Sequence, residues 1–179
     1  AYAGSAILNL YVPQTEFDAL TYRLPRAGLY FQHGTIAPYA VNDIRQVVFP
    51  LNAELFFVWL YLGTGTDLYS GFVAMGAVLA TAAGIISLTR QVGFSTRAGI
   101  AGGLLYLLLP EVYFQSTSVQ SDALVGFLVV SAVCLLYAGF RENRRRYLLL
   151  SGVAAGMAAG VKLTIVLVLP GLGVTLLLL

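Results

Sequence analysis

Charge is what this sequence has least of. Ten Lys and Arg and eight Asp and Glu make up 10% of the 179 residues, against roughly 25% in an ordinary soluble domain. So few charges cannot cover the surface of a 19.1 kDa soluble domain, and the mean hydropathy is +0.83. With 59% of residues hydrophobic, most of the surface must face lipid, as in an integral membrane protein. That excludes a soluble enzyme, a nucleic-acid-binding module and a disordered chain. Cysteine is nearly missing: Cys134 stands alone inside an apolar run, so neither a disulfide framework nor a CxxC metal site exists. No Walker loop, GxGxxG, HExxH or GxSxG is present. The net charge of +2 says little by itself; the placement of the charges says more.

What is there is a series of apolar runs. Residues 68–89 hold no charge between Asp67 and Arg90, and at 1.5 Å per residue they cover about 33 Å, enough for a hydrocarbon core of about 30 Å. Further spans are expected over 98–115 and 123–140, and over 147–161 and 163–179 on either side of Lys162. Residues 1–12 read as the end of a preceding membrane helix, 13–62 as a loop with juxtamembrane or re-entrant helices, and 63–179 as a bundle of about five transmembrane helices. The expected fold class is therefore all-α, a polytopic membrane bundle. Beginning at Ala1 and ending in a leucine run, without a basic region and cleavage site, the chain reads as an internal piece of a longer polytopic protein.

The arginines orient it. Residues 90–97 carry two Arg and no acid, and 141–146 carry four Arg and one Glu, whereas 111–122 carry two acids and no base. The positive-inside rule puts the first two loops in the cytoplasm and the third outside. Residues 47–62 are the open point. Sixteen residues make about 24 Å, short for a crossing, and Glu54 near their middle adds a penalty. An interfacial or dipping helix is favoured, which keeps 13–46, the turn 115–122 and Lys162 on one outer side. The expected location is the cytoplasmic (inner) membrane, multi-pass, with the active face outward.

Several clusters on that side have the residue types for chemistry. Glu16 and Asp18 stand beside Arg23 and Arg26; a partly desolvated carboxylate can act as a general base, and guanidiniums hold phosphate oxygens bidentately. An interfacial helix with headgroup arginines would look the same. Asp122 closes the polar run Gln115–Asp122 and opens the next helix, where it either caps free N–H groups or serves as a second carboxylate. Lys162, the only lysine, follows 15 apolar residues. It is a functional candidate whose partner is a lipid phosphate or Asp122, with snorkelling as the competing account. His33, Asp43, Arg45 and Glu54 are further candidates, each with a structural alternative. Gly152, Gly156 and Gly160 form a GxxxGxxxG face, read as helix packing.

The order of these motifs resembles the GT-C membrane glycosyltransferases, in the bacterial branch related to protein O-mannosyltransferases and lipid A aminoarabinose transferases. Phe17-Asp18 through Tyr22-Arg-Leu-Pro25-Arg26 is similar to the Asp-x-x-x-Tyr-His-x-Pro-Arg pattern of their first outer loop. Phe49-Pro50 through Glu54 resembles the short Pro-containing helix that follows. Pro110 with Ser116–Asp122, and Gly156 through Lys162-Leu-Thr164, match in order. Only the N-terminal part of a typical member is covered. Two departures stand out: Ala19 follows Asp18 where many relatives have a second acid, and Arg23 stands where the pattern has His.

The resemblance implies a GT-C-like bundle that transfers a sugar from a polyprenyl-phosphate donor to an acceptor on the outer face, with inversion. Asp18 would be the base, Asp122 would support it, and Lys162 with Arg26 or Arg45 would bind the donor phosphate. Glu16, Tyr22, His33, Asp43 and Glu54 would support the site or the acceptor. A divalent metal is compatible with the resemblance, since relatives differ on it. The expected partners are the donor lipid and membrane lipids, with no nucleic acid. Two other readings are a non-catalytic membrane subunit that keeps the fold, possible partner of other membrane subunits, and a transporter. Against the transporter, the polar residues cluster at one face and no inverted repeat is evident.

Overall fold

In the computed structural model, which describes residues 1–168, 170, 171, 173 and 174, the described residues form helices and no strands. The elements run α1 (Tyr2–Tyr11), a π-helical turn (Ala19–Arg23), α2 (Leu24–His33), α3 (Arg45–Val48), α4 (Asn52–Thr64), a 3-10 turn (Leu68–Ser70), α5 (Gly71–Gln91), α6 (Thr96–Leu107), α7 (Pro110–Gln115), α8 (Asp122–Arg141), α9 (Arg145–Ala159) and a 3-10 turn (Leu163–Leu167). Among the described residues, two segments are long and apolar enough to cross a membrane: Leu68–Gln91, mean hydropathy 2.0, and Asp122–Arg141, mean hydropathy 2.4.

The helix expected over 98–115 is instead two. Pro110 has no N–H to continue the ladder and holds Leu109 extended (φ −65°, ψ 125°), so α6 stops at Leu107 and α7 restarts at Pro110. The break expected at Lys162 is present: α9 ends at Ala159 and Lys162 is extended (φ −155°, ψ 126°). Of the span expected over 163–179, the first five residues form the 3-10 turn, and the segment reaches beyond the described residues. The apolar stretch 47–62 becomes the end of α3 and most of the 13-residue α4. At about 20 Å, α4 is too short to cross.

Helices α5, α6, α8 and α9 pack side by side. Gly99 and Gly103 let α6 close onto α5, where an added Cβ would lie 3.0 Å from the Ile86 carbonyl and 3.1 Å from that of Ala82. In the expected GxxxGxxxG face only Gly160 meets a neighbour; Gly152 and Gly156 have nothing within 4 Å of an added Cβ.

The bundle has two chemically distinct ends. At one, the loops 92–95 and 142–144 turn the chain, and the Arg141 guanidinium donates to the Gln91 carbonyl at 2.5 Å. Asn143 takes the left-handed conformation there (φ 50°), which Asn tolerates better than most side chains. At the other end lie the start of α5, the start of α8 and the end of α9. Helix α4 runs across this second end. Its first residue, Asn52, donates its backbone N–H to the Gly160 carbonyl (2.9 Å), and its body packs on α2 and on the turn before α5. Helix α1 reaches the same end, with Asn9 Nδ2 donating to the Ser116 carbonyl at 3.0 Å.

Candidate functional site

A cavity of about 360 Å³ opens at the end opposite the arginine loops, lined by Asp18, Tyr22, Arg23, Glu54, Asp122 and Lys162 together with Phe49, Pro50, Gln120, Ser121 and the chain from Val161 to Thr164. Four separate stretches of sequence meet in it.

The first stretch is placed by a proline. Pro25, near the start of α2, offers no N–H to the carbonyl one turn back, that of Thr21. The Thr21 carbonyl accepts from Gln46 Nε2 instead, at 2.8 Å, which fastens α3 to the π-helical turn. The wider π turn presents Tyr22 and Arg23 together toward the cavity after Asp18. The Tyr22 hydroxyl donates to Asp18 Oδ2 (3.1 Å), and Arg45 Nη1, brought in by α3, lies 3.6 Å from Asp18 Oδ1. Burial pushes the Tyr22 phenol up to about 12, so it stays a neutral donor at physiological pH.

The second and third stretches carry a pair. Lys162 Nζ donates to Asp122 Oδ1 at 2.5 Å, and both side chains keep partial exposure to the cavity. Asp122 is the first residue of α8, where the N–H ends favour a negative charge. The fourth stretch, α4, supplies Glu54, which is fully buried. Its Oε1 takes Arg23 Nη1 at 3.3 Å and its Oε2 lies 4.0 Å from Arg26 Nη1. Burial raises the Glu54 carboxyl above its ordinary value, with Arg23 pulling against it. Arg23 Nη2 also donates to Ser121 Oγ at 2.9 Å.

The expected site residues therefore divide. Asp18, Tyr22, Glu54, Asp122 and Lys162 share the cavity. Arg45 stands one step back, bound to Asp43 through Nε and Nη2 (3.0 and 2.7 Å) and to Asp18; its hydrogen bonds hold the Asp43 carboxyl below the ordinary value. Arg26 is buried beneath, donating to the Phe49 carbonyl (2.8 Å) and to the Tyr30 hydroxyl (3.1 Å), and it does not line the cavity. Glu16 belongs to a separate cavity of about 230 Å³ beside Asn9 and Thr117. Burial, then the nearby Asp18 charge, raises its carboxyl. His33 is exposed at the end of α2, its ring edge-on to Tyr39. Arg23, expected alongside Arg26 to hold phosphate oxygens, reaches the cavity where Arg26 does not, and Ser121, the residue before Asp122, reaches it too; the signal in the sequence is that Arg23 directly follows Tyr22 in a stretch whose ladder Pro25 disturbs.

Among the described residues, no group of three or more His, Cys, Asp or Glu gathers as a metal site. Each of the three cavity carboxylates is faced by a cation. These residues do not fit a divalent metal.

Residues 55–179, more than two thirds of the chain, match the family model of the dolichyl-phosphate-mannose-protein mannosyltransferases. The chain belongs to that family. No curated protein and no solved structure matches it. Membership makes it a membrane glycosyltransferase-type chain of the GT-C class, as the order of motifs suggested. The mannosyltransferase match begins just after Glu54, so Asp18, Tyr22 and Arg23 lie ahead of it. The fold brings them against Asp122 and Lys162, which lie inside it.

Proposed function

We propose that this chain carries the sugar-transfer site of a GT-C enzyme. In this reading it moves a sugar from a polyprenyl-phosphate donor to an acceptor hydroxyl, with inversion, on the outer face of the cytoplasmic membrane. One observation carries the reading: a single cavity holds Asp18, Asp122 and Lys162, residues drawn from three separate stretches of the chain, at the end away from the arginine loops. A retired subunit has no reason to keep such a space open. Arginine loops favour the cytoplasm, so the cavity faces outward, and the short α4 lies along the surface.

The chemistry follows from the charges. The acceptor hydroxyl, in the cavity, gives its proton to the Asp18 carboxylate as its oxygen attacks the anomeric carbon. The bond from that carbon to the phosphate oxygen breaks, and its electron pair leaves with the lipid phosphate. One displacement inverts the centre. Tyr22 and Arg45 hold Asp18 in place. The growing phosphate charge meets the Lys162 ammonium, which can exchange Asp122 for phosphate oxygens, so the interaction strengthens as the sugar departs. Asp122 keeps Lys162 aimed until then. The donor lipid and the surrounding bilayer are the expected partners.

The test is Asp18→Asn in the membrane-embedded protein, following release of sugar from dolichyl-phosphate mannose, the donor in the family's name, with native membranes supplying acceptor. A general base contributes about 10²–10⁴ in rate, so kcat should fall at least about 100-fold with donor KM little changed. Undiminished transfer would remove Asp18 from the mechanism.

A further inference from the structure

Positive charge is unevenly matched around the cavity. Asp18 has Arg45 and Asp122 has Lys162. At the cavity wall and just behind it, however, Arg23 and Arg26, each less than a tenth exposed, share the one carboxylate of Glu54. Even with Glu54 ionised, one buried positive charge has no counter-charge, only the ring faces of Tyr22 and Tyr30 beside the guanidiniums, an arrangement that is costly until something anionic completes it. Arg26 is turned inward to the Phe49 carbonyl and Tyr30. Arg23 lines the cavity. Of its five N–H groups, one goes to Glu54 and one to Ser121, and Nε has no acceptor.

We propose that Arg23 is a phosphate-binding residue of the cavity, presenting its free N–H groups to the phosphodiester of the lipid donor, and that Glu54 and Ser121 are the positioning residues that aim it. The proposal rests on the transferase reading and names this chain's own device within it. Lys162 grips the phosphate as a point charge on a mobile stem. Arg23, held from two sides by Glu54 Oε1 and Ser121 Oγ, supplies a fixed planar fork. A guanidinium also stays charged at every physiological pH, whereas a histidine at this position would lose its charge near neutrality.

The probe is farnesyl methyl phosphate, a phosphodiester whose single charge does not titrate between pH 5.5 and 8, with farnesol as the uncharged control. Binding is read by titration of the protein in nanodiscs. Losing charge-assisted hydrogen bonds should weaken the diester about tenfold to a hundredfold in Arg23→Gln while leaving farnesol unchanged. Arg23→Gln leaves Glu54 facing Arg26 at 4.0 Å, so the buried charges balance and the fold is kept; the double variant R23Q/E54Q, which removes the positioning carboxylate as well, should show the same loss. Arg23→His should bind near wild-type strength at pH 5.5 and lose at least about fivefold by pH 8.

The groups that face position 23 are Glu54, Asp18, Tyr22, Asp122, Lys162 and Arg26, with Glu16 further off. Taking the ratio to wild type at each pH removes their own titration. Diester affinity within twofold of wild type in R23Q/E54Q, or an Arg23→His ratio that ignores pH, overturns the proposal. If Lys162→Gln still weakens binding in that case, the transferase reading stands without Arg23. If wild type binds the diester no better than farnesol, both fall together.

Discussion

Glu54 offers the sharpest test of the buried charges, because its removal and its partner's removal should not add. It is fully buried, between Arg23 Nη1 at 3.3 Å and Arg26 Nη1 at 4.0 Å. Glu54→Gln leaves two buried guanidiniums without a counter-charge, and breaking such a pair costs about 3–5 kcal/mol. Burial raises the Glu54 carboxyl above its ordinary value, with Arg23 pulling the other way. Adding Arg23→Gln to Glu54→Gln then removes one stranded cation and should give stability back, by about 1–3 kcal/mol of coupling. Equilibrium unfolding of wild type, the two single variants and the double in mixed detergent micelles reads this cycle. The expected result is a double variant more stable than Glu54→Gln alone. Costs that simply add, to within about 0.5 kcal/mol, would show that Arg23 and Glu54 do not depend on each other and would refute the account of the buried pair.

Two further outcomes follow from the same geometry. Burial raises the Glu16 carboxyl above its model-compound value of 4.5, so the folded protein holds this proton more tightly than the unfolded chain. The favourable contribution is complete below pH 4.5 and is lost as pH rises through the folded value. Melting temperature should therefore drop less between pH 4.5 and 7 in Glu16→Gln than in wild type; identical profiles would refute it. Gly160→Ala would put a Cβ on the Asn52 side-chain amide, which also donates to the Met157 carbonyl at 3.2 Å. Turning the Asn52 amide away gives up its bond to Met157 and should cost about 0.5–1.5 kcal/mol, whereas Gly156→Ala, with nothing nearby, should be neutral or slightly stabilising in the same unfolding assay.

The parts of the fold legible in the sequence were those set by local composition. An uncharged run such as 68–89 can only be a long apolar helix in lipid, and arginine loops at 90–97 and 141–146 had to share one end once the helices between them were counted. The helix ends were harder. Pro110 sits inside an apolar run whose hydropathy hides it, yet its missing N–H divides the run in two. The glycines misled for a related reason: spacing shows which small residues share a face, but not what the face meets. Gly99 and Gly103, with the same spacing as Gly152 and Gly156, are the ones pressed against a neighbouring helix.

The site shows the same division between residue type and placement. Asp18, Asp122 and Lys162 were visible because a charge beside or within a lipid-facing run is costly and needs a reason. The arginines were not separable that way. Arg23 and Arg26 are three residues apart, equally basic and equally buried, and only the turn that carries them decides between them. Pro25 denies the Thr21 carbonyl its usual partner, Gln46 takes it, and α3 is drawn in with Arg45 against Asp18. That same turn leaves Arg23 at the cavity wall and sends Arg26 behind it. A backbone effect of a single proline thus bears on which guanidinium lines the cavity, and in the proposed donor site Glu54, lodged between the two, is a residue whose loss should be felt in donor binding as well as in stability.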